Sequence, residues 1–274
     1  MKQLNILMLI FVFFVACSAP KNGSKNNAFD EYNTSLADSV LAYALDNEAL
    51  YTLADTLKPI SSVKFLRFAV AKDSTQLDGD IDIVKNDSFI HKIEAYQKVC
   101  NALSKNDWLF VLVPFQRTEK NVRNMEIYVI RKSVFARKMQ QFQSFFGQWG
   151  FTPSTNPSVV LSVIEYESKW DRNRAYGYLF GYPAHAVDFF VEASKTQFAD
   201  ISKKLVPRNF FEIPVFAGEK GHFTYAIPKS YIPTNIDSSI YKNAINTLNK
   251  YKKTRSQCLT KNGLKANELW EKMQ

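Results

Sequence analysis

Four aromatic side chains stand at alternate positions of one short segment, and a histidine follows them. These residues are Tyr176, Tyr178, Phe180, Tyr182 and then His185. In a β-strand, residues two apart point to the same face, so the four rings would form one row. Tyrosine joins a flat apolar ring to a polar hydroxyl, which suits a half-exposed groove. The row predicts either a ligand groove, whose rings could stack on sugars, or packing against a neighbouring helix.

A carboxylate precedes this row, at the end of an apolar stretch that occupies residues 157–164. The residues that carry the pattern after the stretch are Glu167, Ser168, Trp170 and Ala175. The pattern resembles the signature of soluble lytic transglycosylases, in which an apolar helix ends in Glu-Ser-x-Phe-x-Pro-x-Ala. The resemblance implies that Glu167 is a general acid that protonates the glycosidic oxygen of peptidoglycan, with a pKa raised by apolar surroundings. The alternative is a helix end with solvated charges.

Other catalytic patterns are missing from the sequence. The histidines are His91, His185 and His222, and no two lie four residues apart. The chain has no HExxH, CxxC or GxSxG string, so zinc and a strained nucleophile turn have no local signature. His185 and Asp188 would share a helix face, and such an isolated pair is typical of polar surface. We therefore expect no metal and no cofactor.

The first seventeen residues are typical of an export signal. Their apolar run, residues 6–16, is too short to span a bilayer comfortably but fits a signal peptide. The run ends in Phe-Val-Ala followed by Cys17, which resembles the lipobox of bacterial lipoproteins. The resemblance implies that residues 1–16 are removed and that Cys17 carries lipid, including palmitate or a similar acyl chain. The alternative is an ordinary signal peptide cut near Ala16 or Ala19.

The stretch after the signal is polar and includes Gly and Pro, so we expect residues 17–28 to be a lipidated cysteine and a flexible tether. Ser18 follows the cysteine. By resemblance to sorting rules in enteric bacteria, this favours the outer membrane, facing the periplasm. The expected partners are the membrane, through the lipid anchor, and possible envelope ligands such as peptidoglycan or another polymer or protein.

Positive charge is concentrated near the C-terminus. The chain of 274 residues has a formal net charge of +9, and residues 201–274 hold 13 Lys and Arg against 5 Asp and Glu. Such a surface could meet anionic lipid head groups or other anionic envelope polymers. The alternative is a solvated helix face that keeps the protein soluble. An exported chain without nucleic-acid motifs is not expected to bind nucleic acid.

Two cysteines remain once Cys17 is assigned to lipid. Cys100 and Cys258 form an even pair in a compartment that can oxidise thiols, so a disulfide is one prediction. The alternative is two buried thiols that act as small hydrophobic residues.

Helical and strand patterns are interspersed, which predicts an α+β fold: one domain over 29–274, mainly antiparallel sheet with packed helices. We expect a helical part at 29–58, a mixed part at 60–235 and a helical part at 236–274. The predicted helices lie at 29–57, 85–104, 133–146, from 157, from 183, 236–251 and 263–273. The predicted strands lie at 62–71, 108–115, 125–131, 209–216 and 222–227, and residues 174–180 are predicted to be a strand or an extended turn.

The helix that begins after Pro183 carries an apolar stripe that we expect to be core, namely Val187, Phe190, Val191 and Phe198. The catalytic inventory of the whole chain is thin. The sequence therefore favours a lipid-anchored cell-envelope protein with a binding or structural role. The alternative is a peptidoglycan-cleaving enzyme that acts through Glu167.

Overall fold

The structure is a computed structural model that describes residues 23–71, 83–199, 205–261 and 263–274. Cys17 and the expected signal peptide lie outside the described residues, so their roles stay predictions. The described part is a mixed helical and antiparallel-sheet domain, which confirms the expected α+β class. No helix in these ranges is both long enough and apolar enough to cross a bilayer.

The main helices and strands follow the expected order with one exception, which is described below. The helices are α1 Gly23–Asp46, α2 Leu50–Leu53, α3 Ile83–Leu103, α4 Lys132–Gln141, α5 Gln143–Phe146, α6 Pro157–Glu165, α7 Lys169–Leu179, α8 Ala184–Ala199, α9 Asn235–Cys258 and α10 Ala266–Met273. The strands are β1 Ile60–Phe68, β2 Trp108–Glu119, β3 Val122–Arg131, β4 Arg208–Val215 and β5 Gly218–Pro228, followed by a two-residue pair, β6 Leu259–Thr260 and β7 Gly263–Leu264.

A three-stranded antiparallel sheet lies between two helical layers, with the strand order β1-β3-β2. Strand β3 alternates its side chains between the layers. Ile127 and Val129 pack into a core with α1, α3, α9 and α10, whereas Tyr128 and Ile130 pack into a second core with α4 to α7. Because both faces are covered, β3 is apolar along its centre rather than alternating with polar residues.

The hairpin of β4 and β5 is separate from this sheet but joins the first core. Phe223 and Tyr225 of β5 are buried there. Phe223 contacts Tyr51 of α2 with ring centroids 5.6 Å apart. The Tyr51 hydroxyl donates a hydrogen bond to the carbonyl oxygen of Pro214 in β4. The hairpin is thereby fixed against the chain segment that leads into β1.

The segment 174–180, which we expected to be a strand or an extended turn, is helical: residues 174–179 belong to α7, and Phe180 is its C-cap. Ser168 caps this helix, accepting a hydrogen bond from the Asp171 backbone N–H at 3.4 Å. The alternating aromatic residues have the two-residue period of a strand. The Ser168 cap and the packing of α7 against α8 nevertheless stabilise a helix here. The predicted one-faced row of rings is therefore wrong.

The helix expected over 29–57 is two helices, because α1 ends at Asp46 and α2 begins at Leu50. Asp46 is held at this break by Arg255 and Tyr251 of α9, whose side chains donate hydrogen bonds to its carboxylate at 2.8 and 2.7 Å. The polar contact with α9 thus coincides with the turn between α1 and α2.

The apolar stripe of α8 is only half core. Val187 and Val191 are buried, whereas Phe190 is 40% exposed and Phe198 is 67% exposed. Phe198 lies on the same helical face as Val187 but near the end of α8, where it contacts Trp170 rather than the core. The prediction that both phenylalanines are core is wrong.

The two cysteines of the domain are buried, free thiols, and no disulfide joins them. Both Cys100 and Cys258 belong to the core that α1, α3, α9 and α10 share. Burial raises the pKa of the Cys100 thiol to about 12, which suppresses the reactive thiolate. Of the two alternatives, Cys100 and Cys258 therefore match buried thiols that act as small hydrophobic residues.

Candidate functional site

A cleft of ≈ 320 Å³ lies between α7, α8 and the β4–β5 hairpin. Its aromatic lining consists of Tyr176, Phe180, Tyr182, Phe190, Phe210 and Tyr225. Phe190 and Phe210 are 40% and 59% exposed, so they form the rim. Clefts of roughly 300–1,000 Å³ with a mostly apolar lining and a few polar groups are typical ligand sites. The cleft is therefore the candidate site.

Small residues make room for the cleft and for the close approach of its two helices. Gly177, Ala186 and Ala226 line it between the rings. A Cβ atom at Gly177 would lie 2.8 Å from a methyl group of Val187, which is closer than real side chains pack. Glycine is thus required where α7 meets α8.

The polar lining of the cleft is sparse and includes Asn173 and Thr224. The Thr224 hydroxyl is buried and has no hydrogen-bond partner among the described residues. A buried polar group without a partner costs roughly 1–3 kcal/mol. A ligand that supplies a hydrogen-bonding atom at this point would recover part of that cost.

The loop between α7 and α8 fixes the two rings at the inner end of the cleft. Gly181 has a φ of +82°, a conformation that glycine adopts easily. A Cβ atom there would lie 2.4 Å from the carbonyl oxygen of Leu57. The loop therefore lies directly on the segment before β1, and it holds Phe180 and Tyr182 in place.

A buried lysine lies behind these rings. The Lys58 side chain is fully buried, and its Nζ atom lies 2.5 Å from the Glu48 carboxylate. Nζ also lies 5.0, 5.6 and 4.5 Å from the ring centroids of Phe180, Tyr182 and Phe223. Burial lowers the pKa of Lys58, while Glu48 opposes that shift. The ion pair and the rings together hold a cation beneath the cleft.

The buried carboxylate of the α6–α7 region is Glu165, not Glu167. The Tyr176 hydroxyl donates to Glu165 Oε2 at 2.9 Å, and the Gln116 backbone N–H donates to Oε1 at 3.1 Å. The helical period indicates this position, since Glu165 lies four residues after buried Leu161 on the same face. The network fixes the ring of Tyr176 at the wall of the cleft.

A second carboxylate belongs to the same region. Burial raises the pKa of Glu126 to about 7, against the lowering effect of hydrogen bonds with Ser62 and Tyr128. Glu48 and Glu165 raise it further by repulsion. The Glu126 carboxyl group therefore titrates near neutrality.

Glu167 itself is half-buried in the turn between α6 and α7. Its backbone N–H donates to the carbonyl oxygen of Ile164 at 3.1 Å. It is not among the residues that line the cleft. The transglycosylase-like residues do not converge on one point either, because Trp170 contacts Phe198 while Ala175 is buried in the second core.

The predicted groove residues divide between the cleft and other places. Tyr176 and Tyr182 line the cleft. Tyr178 does not, because it projects from another face of α7 and stacks on Phe142, with ring centroids 3.8 Å apart. The cleft is also lined by Phe190 and Phe210, which were not predicted to be groove residues.

His185 lies beside the cleft, behind Tyr225, and approaches Asp237 rather than Asp188. Its Nε2 atom is 3.3 Å from Asp237 Oδ1 but lacks hydrogen-bond geometry, and its ring stacks on Tyr231. Asp237 accepts hydrogen bonds from the hydroxyls of Tyr225 and Tyr231 at 2.6 and 2.7 Å.

Burial alone would raise the pKa of Asp237, but the hydrogen bonds from Tyr225, Tyr231 and Thr234 outweigh it and hold the pKa at about 2. Asp237 also completes the capping box at the start of α9 with Thr234. The cluster therefore ties the outer wall of the cleft to α9.

Comparison with protein-family models, curated proteins and solved structures gives no significant match. Among the side chains that the structure describes, no three His, Cys, Asp or Glu residues are grouped so that they could hold a metal ion. The chemistry of the site is thus argued from its own residues. They offer ring surfaces, a few polar groups and a buried charge network.

Proposed function

We propose that this chain is a lipid-anchored envelope protein that binds a small, mostly apolar ligand in the cleft between α7, α8 and the β4–β5 hairpin. The cleft carries the proposal: six aromatic residues line it, and two of them remain exposed at its rim. Exposed aromatic side chains around a concave surface gain the most when a ligand removes them from water.

The lining also indicates the kind of ligand. Apart from the tyrosine hydroxyls, the polar side chains that line the cleft are Asn173 and Thr224, and the rest of the lining is rings and methyl groups. A free sugar would need more hydrogen-bonding partners than these, since its hydroxyl groups lose water on binding. An acyl or aromatic group with one polar atom near Thr224 fits the chemistry better.

A binding role is better supported than peptidoglycan cleavage. A general acid must come within hydrogen-bond reach of the bond that it protonates. Glu167 is outside the cleft, and the buried Glu165 is already engaged by Tyr176 and the Gln116 backbone. No observation at the turn between α6 and α7 favours the enzyme.

The binding proposal is tested with N-phenyl-1-naphthylamine, a neutral apolar fluorescent dye, and a soluble chain that begins at Ser18. We expect saturable binding of one dye per chain. Replacing Phe190 and Phe210 together by Ala removes two ring contacts and weakens binding about tenfold or more. Phe198→Ala is the matched control, since Phe198 is an exposed phenylalanine of α8 outside the cleft. Equal dye affinity in all three proteins would refute the proposal.

The anchor is proposed separately, on the resemblance of the N-terminus to a lipobox. Cells are labelled with a palmitate analogue, and the wild-type chain is compared with Cys17→Ala. We expect label on the wild-type chain only, and the wild-type chain in the outer-membrane fraction. Several acyl chains on Cys17 are needed because a single chain binds membranes only marginally. Equal labelling of the two chains would contradict the anchor.

A further inference from the structure

Helix α9 is a 24-residue helix whose two faces differ sharply. Its inner face is buried through Ala244, Leu248, Tyr251 and Cys258. Lys242, Lys250 and Lys253 are exposed on the opposite side, together with Asn246. At 1.5 Å per residue, Lys242 and Lys253 are about 17 Å apart along the axis. The outer face is thus a stripe of cations.

Acidic groups do not neutralise this stripe from within the helix. The only acid of α9 is Asp237, which is fully buried and hydrogen-bonded to tyrosine hydroxyls. Arg255 is the cation that pairs with Asp46, and it belongs to the inner side. Lys250 donates to the carbonyl oxygen of Met273 and has no carboxylate partner among the residues that the structure describes.

Neighbouring elements also leave the stripe basic. On α10, Glu268 pairs with Lys265 and Lys272, and Glu271 pairs with Lys105. Asp55 accepts a hydrogen bond from Thr247 of α9, and Glu212 and Glu219 line a groove on the hairpin side of α9 that also contains Lys252. We therefore leave Lys252 out of the stripe.

Two exposed aliphatic side chains stand at the N-terminal end of the stripe. Ile232 is 82% exposed in the loop before α9, and Ile236 is 58% exposed in the first turn. Tyr231 anchors this loop through its hydrogen bond to Asp237. Exposed aliphatic groups beside lysines suit the boundary between lipid head groups and acyl chains, whereas a soluble polyanion would use only the charges.

We propose that the outer face of α9, with Ile232 and Ile236, docks on an anionic phospholipid bilayer. The lysines supply attraction to the head groups and the two isoleucines enter the interface. This inference is separate from ligand binding in the cleft. It rests on the proposed function in one respect: the envelope location brings the protein close to a bilayer in the cell.

The experiment uses the mature chain as cells produce it, incorporated in or mixed with lipid vesicles. A nitroxide is attached at Asn246→Cys, between the lysines; Cys100 and Cys258 are buried and do not compete for the reagent. The measurement is the collision rate of the nitroxide with a water-soluble nickel complex. A matched label at Gln140→Cys, exposed on α4, reports on a surface outside the stripe.

We expect the Asn246 label to be protected from nickel on vesicles that contain phosphatidylglycerol at low salt. Protection is lost on phosphatidylcholine alone and at high salt. The triple change K242Q/K250Q/K253Q lowers the ratio of docked to undocked chain about fivefold per lysine. The triple change K92Q/K120Q/K132Q, at exposed lysines outside α9 and the loop before it, leaves protection at Asn246 unchanged.

Two results would overturn the docking proposal: equal exposure of the Asn246 label on both kinds of vesicle, or full protection in K242Q/K250Q/K253Q. Protection that persists in I232N/I236N at the wild-type level would overturn the entry of the two isoleucines into the interface, because the lysines alone would then account for docking. A chain without lipid still gives a result, because it then sediments with phosphatidylglycerol vesicles only if α9 docks. Failure of the dye titration or of palmitate labelling is therefore distinguishable from failure of this inference.

Discussion

At the scale of single residues, the ion pair of Lys58 and Glu48 places a charged ammonium group in the interior of the domain. A buried cation loses its hydration and needs a counter-ion at close range. Glu48 supplies this at 2.5 Å, and three aromatic rings surround the ammonium group. The two residues lie just before the sheet and beneath the cleft, so their pairing bears on both.

Breaking this pair should destabilise the domain strongly. Glu48→Gln leaves the buried Lys58 unpaired and costs about 3–5 kcal/mol of unfolding free energy. Adding Lys58→Met to that variant recovers most of the loss, because no uncompensated charge remains. Glu192→Gln, which breaks the surface ion pairs with Lys195 and Arg174, costs less than about 1 kcal/mol. Urea unfolding measures all three, and a small loss in Glu48→Gln would argue against a structural ion pair.

Glu126 gives the domain a pH dependence of defined sign. Its pKa is about 7 in the folded chain against 4.5 ordinarily, because burial disfavours the carboxylate. The folded state therefore binds more protons between these values, so this stabilising contribution is complete below pH 4.5 and is lost as the pH rises to about 7. The free energies of unfolding of wild type and Glu126→Gln are compared at several pH values.

The variant should gain stability relative to wild type by up to about 3 kcal/mol between the acidic and neutral ends of this window. Asp171→Gln is a control at a different carboxylate, which lies in the first turn of α7. A constant difference between wild type and Glu126→Gln across the window would show that Glu126 is not the group that titrates there.

At the scale of elements, sequence patterns located most helices and strands but missed the break between α1 and α2 and misjudged segment 174–180. The Asn156–Pro157 start of α6 is predictable because it combines a capping side chain with proline at the first helical position. Strand β2 is predictable from its apolar run. Segment 174–180 was misjudged because alternating tyrosines satisfy a two-residue period, while the deciding contact, Gly177 against Val187, joins two helices.

The faces of α8 yield a prediction that separates core from surface. Phe198→Ala should change the unfolding free energy by no more than about 0.5 kcal/mol, since the ring is 67% exposed. Phe223→Ala in β5 should cost about 3–5 kcal/mol, because that ring is fully buried next to the Lys58 ammonium group. Thermal and urea unfolding give both values. Similar costs for the two changes would mean that α8 is packed differently at its end.

At the scale of the whole molecule, the site arises from residues far apart in the chain. The cleft combines α7 and α8 with a hairpin that begins at Arg208, and the charge beneath it comes from Glu48 and Lys58. No local pattern encodes such contacts, which explains why Tyr176 and Tyr182 were identified but Phe190 and Phe210 were not. His185 was predicted as a groove residue but is not part of the cleft lining, and it approaches Asp237, which lies on another element.

The whole-molecule account also predicts an absence of cleavage. Purified peptidoglycan incubated with the chain should release no anhydromuropeptides, because Glu167 lies outside the cleft and Glu165 is already hydrogen-bonded. An active lytic transglycosylase serves as the positive control. Release by the wild-type chain that disappears in Glu167→Gln would establish the enzyme instead.

The central claim is that the cleft between α7, α8 and the β4–β5 hairpin binds an apolar ligand. Methyl-labelled alanine and valine residues report on it directly by NMR during a titration with N-phenyl-1-naphthylamine. We predict saturable shifts at Ala186, Val187 and Ala226, which line the cleft, and none at Ala244, which is buried on the inner face of α9. Unchanged signals at the three cleft residues, or equal shifts at Ala244, would contradict the account.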